Sequence, residues 1–389
     1  MGSTDNFFER KKPWSIIKDK LLSAYLVPYL SKISKTKKKI IFIDCFAGKG
    51  KFDDSSPGSP LIIMNALKNA EIDKYFVYFI EKKYSKELQQ NLEKYDSHKY
   101  EIIDGTYEEN IENTLKQCSN CNVFMYIDPY GIKNLDFSFF ELLNQVDCNS
   151  KEMLINFNTG GLIRMIQAKY NFKGNMDNDP IEDFEEENET NVIDKLYGSP
   201  NWKGLIENYK ESKNYVKCER ALSKEYEENL HRIFKYVLNI PIMNKNVIKY
   251  RLYFGTNNDD GFILMANNMN RRWRELNEKN ENGQMSLFHL ASPSGENFDE
   301  DEIKKMTLEI IQKNNNIELK KILIILFDKF GILYNESEYC KILGVLEKED
   351  KIIINREPEY TSNGKKSTFI NWRNDPRIKK KRKCILRKK

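Results

Sequence analysis

Residues 40–50 read Ile40-Ile41-Phe42-Ile43-Asp44-Cys45-Phe46-Ala47-Gly48-Lys49-Gly50. A buried strand predicted over Ile40–Asp44 runs directly into an acid and a Gly-x-Gly turn. Because glycine has no side chain, such a turn lets the backbone bend sharply and approach a ligand at the carboxyl end of a sheet. The stretch predicts a nucleotide-like cofactor beside Asp44, Phe46, Gly48 and Gly50. The alternative is a Gly-rich turn with a structural role alone.

The spacing of this loop excludes two common phosphate-binding motifs. Asp53 stands where the dinucleotide fingerprint needs its third glycine, and no Gly-Lys-Ser/Thr of a P-loop is present. The remaining Asp-x-Phe-x-Gly-x-Gly form resembles motif I of S-adenosylmethionine (SAM)-dependent methyltransferases. That resemblance implies SAM as the cofactor.

Short apolar runs with helix-length spacers follow this loop, which is typical of a parallel sheet built from right-handed βαβ units. A helix over Trp14–Ser31 precedes them. The predicted strands are Phe76–Glu81, Glu101–Asp104, Val123–Asp128 and Met153–Phe157, then a hairpin of Phe234–Ile242 and Val247–Thr256. We therefore predict an α/β fold of the Rossmann-like class I methyltransferase type over residues 1–278, with a helical insertion at about 160–232.

Each of the next three strands ends in an acid: Glu81, Asp104 and Asp128. A carboxylate at the end of the second strand can accept both ribose hydroxyls, and one at the end of the third can accept the adenine amino group. We therefore predict Glu81 and Asp104 as cofactor-binding residues. Any single acid at such a place could instead be a helix N-cap.

Asp128-Pro129-Tyr130-Gly131 resembles the Asp/Asn-Pro-Pro-Tyr/Phe motif of amino-group methyltransferases. The resemblance implies that the acid and a proline carbonyl accept hydrogen bonds from a target amine while the aromatic ring stacks on a flipped base. Asp128, Pro129 and Tyr130 are accordingly the predicted catalytic residues. One proline is missing, which leaves the target atom open, and an ordinary Asp-Pro-x-Gly turn is the alternative.

A wider set of short motifs resembles the three-Cys-motif partner (TcmP) family over about residues 10–375. The set consists of Lys18, Leu21 and Tyr25; Asp44–Gly50; Gly58-Ser59-Pro60; Glu81; Asp128–Gly131; Tyr197-Gly198 with Trp202; Tyr253–Asn257 with Gly261 and Met265; and Ser286-Leu287-Phe288. Gly58-Ser59-Pro60 after motif I is also similar to the large-subunit rRNA adenine-N6 methyltransferases. The TcmP resemblance implies a methyltransferase-like fold and a genetically linked partner protein with a three-cysteine motif, similar to radical-SAM proteins. Lys18 is predicted at the cofactor or substrate edge, against the alternative of a solvated lysine.

The C-terminal part predicts a second domain after a linker at 279–300. Three helical periods and two strands, Lys351–Asn355 and Ser367–Trp372, predict a winged helix over 301–375, followed by a basic tail at 376–389. Ten basic residues and one acid lie between Arg373 and Lys389. Such density favours nucleic-acid binding, with a solubilising tail or a protein-interaction module as alternatives. The acidic stretch Asp177–Thr190 would repel a polyanion if it flanked the cleft, and would then favour a protein or small-molecule acceptor.

The apolar runs and the cysteines of the sequence argue against several other classes of protein. The longest apolar run, Ile322–Phe327, is far too short to span a membrane, and no signal pattern opens the chain, so we expect a cytoplasmic protein without a membrane partner. The seven cysteines are scattered, which does not suggest a disulfide framework. Cys118 and Cys121 have metal-ligand spacing but lack a second pair, so no metal is predicted.

Together these patterns predict a SAM-dependent methyltransferase that acts on nucleic acid, at an exposed base amino group such as adenine N6. The alternative is a non-catalytic adaptor that binds SAM or nucleic acid for its three-cysteine partner.

Overall fold

The computed structural model of the protein describes residue 11 and residues 13–170, 189–210, 215–244, 247–281, 298–373 and 382–389. Most of the acidic stretch, the hairpin turn at 245–246, most of the linker and residues 374–381 of the basic segment lie outside the described residues. The chain divides into two compact units, Met1–Met285 and Ser286–Lys389, and this division falls within the predicted linker.

The first unit is built on a seven-stranded sheet. Its strands are β1 (Ile40–Asp44), β2 (Tyr75–Glu81), β3 (Tyr100–Asp104), β4 (Asn122–Ile127), β5 (Ser150–Phe157), β6 (Tyr236–Asn244) and β7 (Val247–Thr256). The strand order is β3-β2-β1-β4-β5-β7-β6, with parallel pairing except at β7, which is antiparallel to both neighbours. This is the sheet of Rossmann-like class I methyltransferases, so the fold class predicted for this unit is confirmed.

Helices cover this sheet and connect its strands. They are α1 (Pro13–Ile33), α2 (Ser59–Asn69), α3 (Ser85–Leu92), α4 (Tyr107–Lys116), α5 (Phe137–Glu141), α6 (Thr159–Tyr170), α7 (Glu189–Tyr197), α8 (Trp202–Lys210), α9 (Tyr215–Leu230) and α10 (Asp259–Glu281). The run from α6 to α9 occupies the predicted insertion. No helix in the described part of this chain is long and apolar enough to cross a membrane.

The centre of the sheet is apolar on both faces because helices pack against each. All residues of β1 and β4 are buried. On the α1 face, the rings of Tyr25 and Tyr29 pack against Phe124 with centroids 6.0 and 5.6 Å away. These contacts hold α1, and therefore Lys18, over the carboxyl end of the central strands.

A buried ion pair joins the insertion to the sheet. Arg251 of β7 donates from Nε and Nη2 to the two carboxylate oxygens of Glu219 in α9, at 2.7 and 3.0 Å. The two side chains are at most 3% exposed. Removal of one partner would leave the other charge buried and unpaired, so the pair fixes α9 against β7.

The second unit has the order α11 (Glu300–Asn314), β8 (Ile317–Glu318), α12 (Leu319–Phe330), α13 (Glu336–Lys348), β9 (Ile352–Glu357) and β10 (Lys383–Lys388). Its sheet is antiparallel with the order β8-β10-β9. Phe327 and Tyr339 meet edge to face in its core, with ring centroids 5.3 Å apart.

Two C-terminal predictions differ from this structure. Residues 367–372 do not form a strand; the partner of β9 is β10, which lies within the predicted basic tail. In β10, Cys384 and Leu386 are buried in alternation with the more exposed Lys383 and Arg387. The period-2 pattern is short and embedded in lysines and arginines, which is why the sequence favoured a solvated tail.

Candidate functional site

The loop after β1 is tied down on both sides by backbone hydrogen bonds. The Cys45 N–H donates to the Tyr126 carbonyl of β4 at 2.9 Å, and the Ala47 N–H donates to the Ile80 carbonyl of β2 at 3.1 Å. Gly50 has φ of +76°, and a Cβ there would lie 2.8 Å from Leu88 Cδ1. Only glycine fits that position without strain or collision.

Glu81, at the end of β2, lies against this loop. Its Oε2 accepts a hydrogen bond from the Gly48 N–H at 2.7 Å, and its Oε1 accepts from the Lys83 and Tyr84 N–H groups at 2.8 and 3.0 Å. These bonds fix the orientation of the carboxylate in the wall of a cavity. An ionised carboxylate has about four acceptor positions, so it retains room for a further donor such as a hydroxyl.

The structure places Asp44 beneath the loop, where its side chain is fully buried and does not line the cavity. Burial raises the pKa of Asp44 to about 7, opposed by the Ser59 hydroxyl and the Phe46 N–H. Neither oxygen has a hydrogen bond of normal geometry in the described part of the chain. Asp44 therefore supports the loop from below, which differs from its predicted contact with a cofactor.

Asp104 also differs from its predicted place. Its side chain is exposed and does not line the cavity, whereas the residues directly after it do: Gly105, Thr106, Tyr107 and Glu108. The ring of Tyr107 lies 5.4 Å from that of Phe46. The predicted residues Phe46, Gly48 and Gly50 line the same wall.

Asp128 follows β4 and is held by side chains. Lys18 Nζ donates to both its oxygens at 2.8 and 2.6 Å, and Asn156 Nδ2 donates to Oδ1 at 2.6 Å. The Tyr126 hydroxyl reaches Oδ2 at 3.4 Å. The acceptor positions of Asp128 are thus largely filled, and Lys18 acts on this acid rather than standing alone at a cofactor edge.

Asn156 is a site residue that the sequence reasoning missed. It is 2% exposed, and its Oδ1 is buried without a donor in the described part of the chain. Because a carboxylate only accepts hydrogen bonds, the Asn156 atom that faces Asp128 must be Nδ2, and this fixes the orientation of the Asn156 amide. The signal was available: Ile127 pairs with Ile155, so the next residue of β5 lies level with Asp128.

Pro129 and Tyr130 complete this end of the cavity. Pro129 is buried, while Tyr130 is 56% exposed and lines the opening. Polar residues of α1, α6 and β7 also line the cavity, namely Ser15, Arg164 and Lys249, together with Asn158 between β5 and α6. The ring of Tyr250 is 5.6 Å from Lys18 Nζ.

A single cavity of about 810 Å³ joins these two groups of residues at the carboxyl edge of the sheet. That volume is in the range of cofactor and ligand pockets. Six basic and four acidic side chains line it, so its formal charge is positive.

No cluster in the described part of the chain has the three or more ligands that a metal ion needs. Burial raises the pKa of Cys118 to about 12 and that of Cys148 to about 11.

Comparison with known proteins gives matches among solved structures alone: no protein-family model and no curated protein matches the chain. Similar structures include the O-methyltransferase of Bacillus cereus in complex with S-adenosylhomocysteine (9% identity, 64% of this chain and 82% of that one, TM-score 0.33). Another is the O-methyltransferase TomG of Streptomyces achromogenes in complex with SAM (10% identity, 65% of this chain and 94% of that one, TM-score 0.33). A third is a spermidine synthase of Thermotoga maritima (12% identity, 70% of each chain, TM-score 0.32). The fold assignment itself rests on the strand order given above.

Proposed function

We propose that the first unit is a SAM-dependent methyltransferase that modifies an amino group of an exposed nucleic-acid base, of the adenine N6 kind. One observation carries the proposal: the Gly48–Gly50 loop with Glu81 and the Asp128-Pro129-Tyr130 segment share one cavity. A donor and an acceptor could therefore meet between the ends of β1 and β4.

The residues of the β1–β2 wall suit SAM. Glu81 is a fixed carboxylate with an open acceptor position for ribose hydroxyls. The side-chain-free backbone at Gly48 and Gly50 allows close approach, and the rings of Phe46 and Tyr107 offer an apolar flank. When bound, SAM supplies a methyl group on a sulfonium, which a nucleophile can take by in-line displacement.

The β4 end suits a planar acceptor with N–H groups. The exposed ring of Tyr130 can stack on a base, which stabilises a flipped nucleotide by about 1–3 kcal/mol. Asp128 can accept a hydrogen bond from a substrate N–H only if Lys18 or Asn156 releases its own hydrogen bond to the carboxylate. We infer that Lys18 holds the carboxylate in place and shifts when the amine enters.

The second unit supports a nucleic-acid substrate. Its order of helices and strands resembles that of a winged helix, which supports the proposal, and β10 carries part of the basic segment. Lys383, Lys389 and Arg373 already pair with Glu318, Asp350 and Glu336. The positive charge for phosphate contacts would then come mainly from the other lysine and arginine residues of the segment.

A test of this second unit has to leave β10 in place, because it is the central strand of its sheet. The triple substitution K379Q/K380Q/K381Q removes charge without truncation. If these lysines bind phosphates, the salt dependence of nucleic-acid binding should weaken by about 0.7–0.9 in slope for each phosphate that is no longer neutralised. An unchanged affinity and slope would favour a protein-interaction module.

One observation favours a second function. Because Asp128 is already held by Lys18 and Asn156, the chain could act as a non-catalytic adaptor that binds SAM or nucleic acid for a protein partner with a three-cysteine motif. The adaptor predicts SAM binding without methyl transfer.

Labelled SAM incubated with the full chain and with total cellular RNA, DNA and protein distinguishes these functions. The reaction is run with and without the three-cysteine partner. Label in RNA or DNA supports the proposal. Label in protein alone contradicts the nucleic-acid substrate, and no label despite measured SAM binding favours the adaptor.

A further inference from the structure

Arg164, in α6, lines the cavity on the side of Asp128 away from the β1–β2 wall. Its guanidinium has no ion pair or hydrogen bond with any group in the described part of the chain, and its Nε–H is buried without an acceptor. A guanidinium with five donors that faces a cavity and has no acid beside it is unusual, since buried charged groups are normally paired. Its donors are therefore available to a ligand that enters the cavity.

The surroundings of Arg164 add positive charge and donors. A Cβ on Gly160 would lie 3.7 Å from Arg164 Nη1 and 3.3 Å from the Lys249 carbonyl, so the guanidinium lies against β7 where Lys249 also lines the cavity. Asn158 also lines the cavity; its Oδ1 accepts from the Gly161 N–H at 2.8 Å, and its amide N–H groups remain as donors.

The acids that line the cavity have other partners. Asp128 pairs with Lys18, and Asp19 of α1 pairs with Lys11. The other two, Glu81 and Glu108, accept hydrogen bonds from backbone N–H groups and from Asn134 respectively. The region around Arg164 therefore has the charge and the donor geometry of a receptor for an oxyanion.

We propose that Arg164 is the phosphate-binding residue of the acceptor site and holds a backbone phosphodiester beside the base that stacks on Tyr130. This inference rests on the proposed function, because it assumes a polynucleotide acceptor. A base extruded into a pocket leaves its flanking phosphates at the pocket mouth. A planar guanidinium can donate two parallel hydrogen bonds to a phosphate, which lysine cannot do.

The test measures binding of a short single-stranded oligoadenylate to the full chain by fluorescence anisotropy over a series of NaCl concentrations. The variants are Arg164→Gln, Arg164→Lys and the control Lys169→Gln, which removes a charge from the same helix outside the cavity lining. We expect Arg164→Gln to weaken binding about tenfold at low salt and to reduce the salt slope by about 0.7, which corresponds to one phosphate contact. Arg164→Lys should keep the slope but weaken binding by a few-fold, and Lys169→Gln should match the wild type.

SAM affinity, measured on every variant, reports folding. If Arg164→Gln loses SAM binding, Arg164→Lys provides the decisive comparison. Equal effects of Arg164→Gln and Lys169→Gln, or no effect of either, would overturn the inference. An acidic peptide is measured as a second probe. If Arg164→Gln weakens binding of the peptide but not of the oligoadenylate, the inference is also overturned, because Arg164 would then bind a carboxylate.

This outcome is separable from that of the proposed function. Oligoadenylate binding that depends on Arg164, with no label transferred to nucleic acid, would retain the phosphate site and refute the activity. Label transfer to RNA or DNA by Arg164→Gln at wild-type rate and affinity would retain the activity and refute the phosphate site.

Discussion

The two ends of the cavity each hold a carboxylate, and they hold it by different means. Glu81 accepts three hydrogen bonds from backbone N–H groups of Gly48, Lys83 and Tyr84. Asp128 accepts from the side chains of Lys18 and Asn156, which are 110 and 28 residues away in the chain. Backbone donors persist through most substitutions, whereas a single substitution removes a side-chain donor. The orientation of Glu81 should therefore survive most substitutions around it, whereas that of Asp128 depends on two particular side chains.

The largest effect should follow from removal of the Lys18–Asp128 pair. Asp128→Asn alone would leave the Lys18 ammonium, 6% exposed, without its counter-charge and would destabilise the fold. The double variant K18M/D128N removes both charges. We expect its turnover in methyl transfer to fall by about 100-fold or more, because transfer depends on positioning of the acceptor, while its SAM affinity stays near that of the wild type.

The control is K32M/D260N, which removes another ion pair of α1, 2.9 Å long and outside the cavity lining. It should retain turnover. Wild-type turnover in K18M/D128N would refute a role of Asp128 in transfer, whereas SAM binding without turnover in the wild type itself would favour the adaptor.

The next effect concerns the stability of the helix that supplies Lys18. Glu152 of β5 is 2% exposed and accepts a hydrogen bond from the Tyr25 hydroxyl of α1 at 2.6 Å. Burial raises the pKa of Glu152 to about 7, opposed by hydrogen bonds from Tyr25 and Thr256. The folded state therefore holds a proton that the unfolded chain releases above its ordinary pKa of about 4.5.

Because the pKa is raised in the folded state, the contribution of Glu152 to the free energy of unfolding is fully present below pH 4.5 and is lost as the pH rises to 7. The loss is at most roughly 3 kcal/mol of the free energy of unfolding. Glu152→Gln keeps an acceptor for Tyr25 and should make urea unfolding less dependent on pH between about 5 and 7, whereas the exposed control Glu112→Gln should not. Equal pH dependence of all three proteins would show that Glu152 is ionised in the folded state.

The contrast between the two ends also explains how far sequence reasoning reached. β1 was predicted with its observed ends, and Glu81 was placed at the cavity because an acid that closes the second parallel strand must lie at the carboxyl edge. The same rule misplaced Asp44 and Asp104. It fixes the edge, and the strand register puts all three acids on one face of the sheet. Asp44 pairs with Phe79, two residues before Glu81, and is buried, whereas Asp104 lies on the edge strand β3 and is exposed.

Two further features could not be predicted from the sequence: the partner of Lys18 and the strand β10. Nothing local to Lys18 specifies Asp128 as its partner, because the contact depends on how α1 packs across the sheet. In β10 the charges of Lys383, Arg387 and Lys388 masked two buried residues. Long-range packing, rather than local propensity, decided both.

The most direct test of the account is a calorimetric titration of SAM, and separately of NAD, into the wild type, Glu81→Gln and Asp104→Asn. We predict that SAM binds and NAD does not, that Glu81→Gln weakens SAM binding by about 10- to 100-fold through loss of a charged acceptor, and that Asp104→Asn binds SAM as the wild type does. Binding of NAD without SAM, or equal SAM affinity in Glu81→Gln and the wild type, would contradict the account.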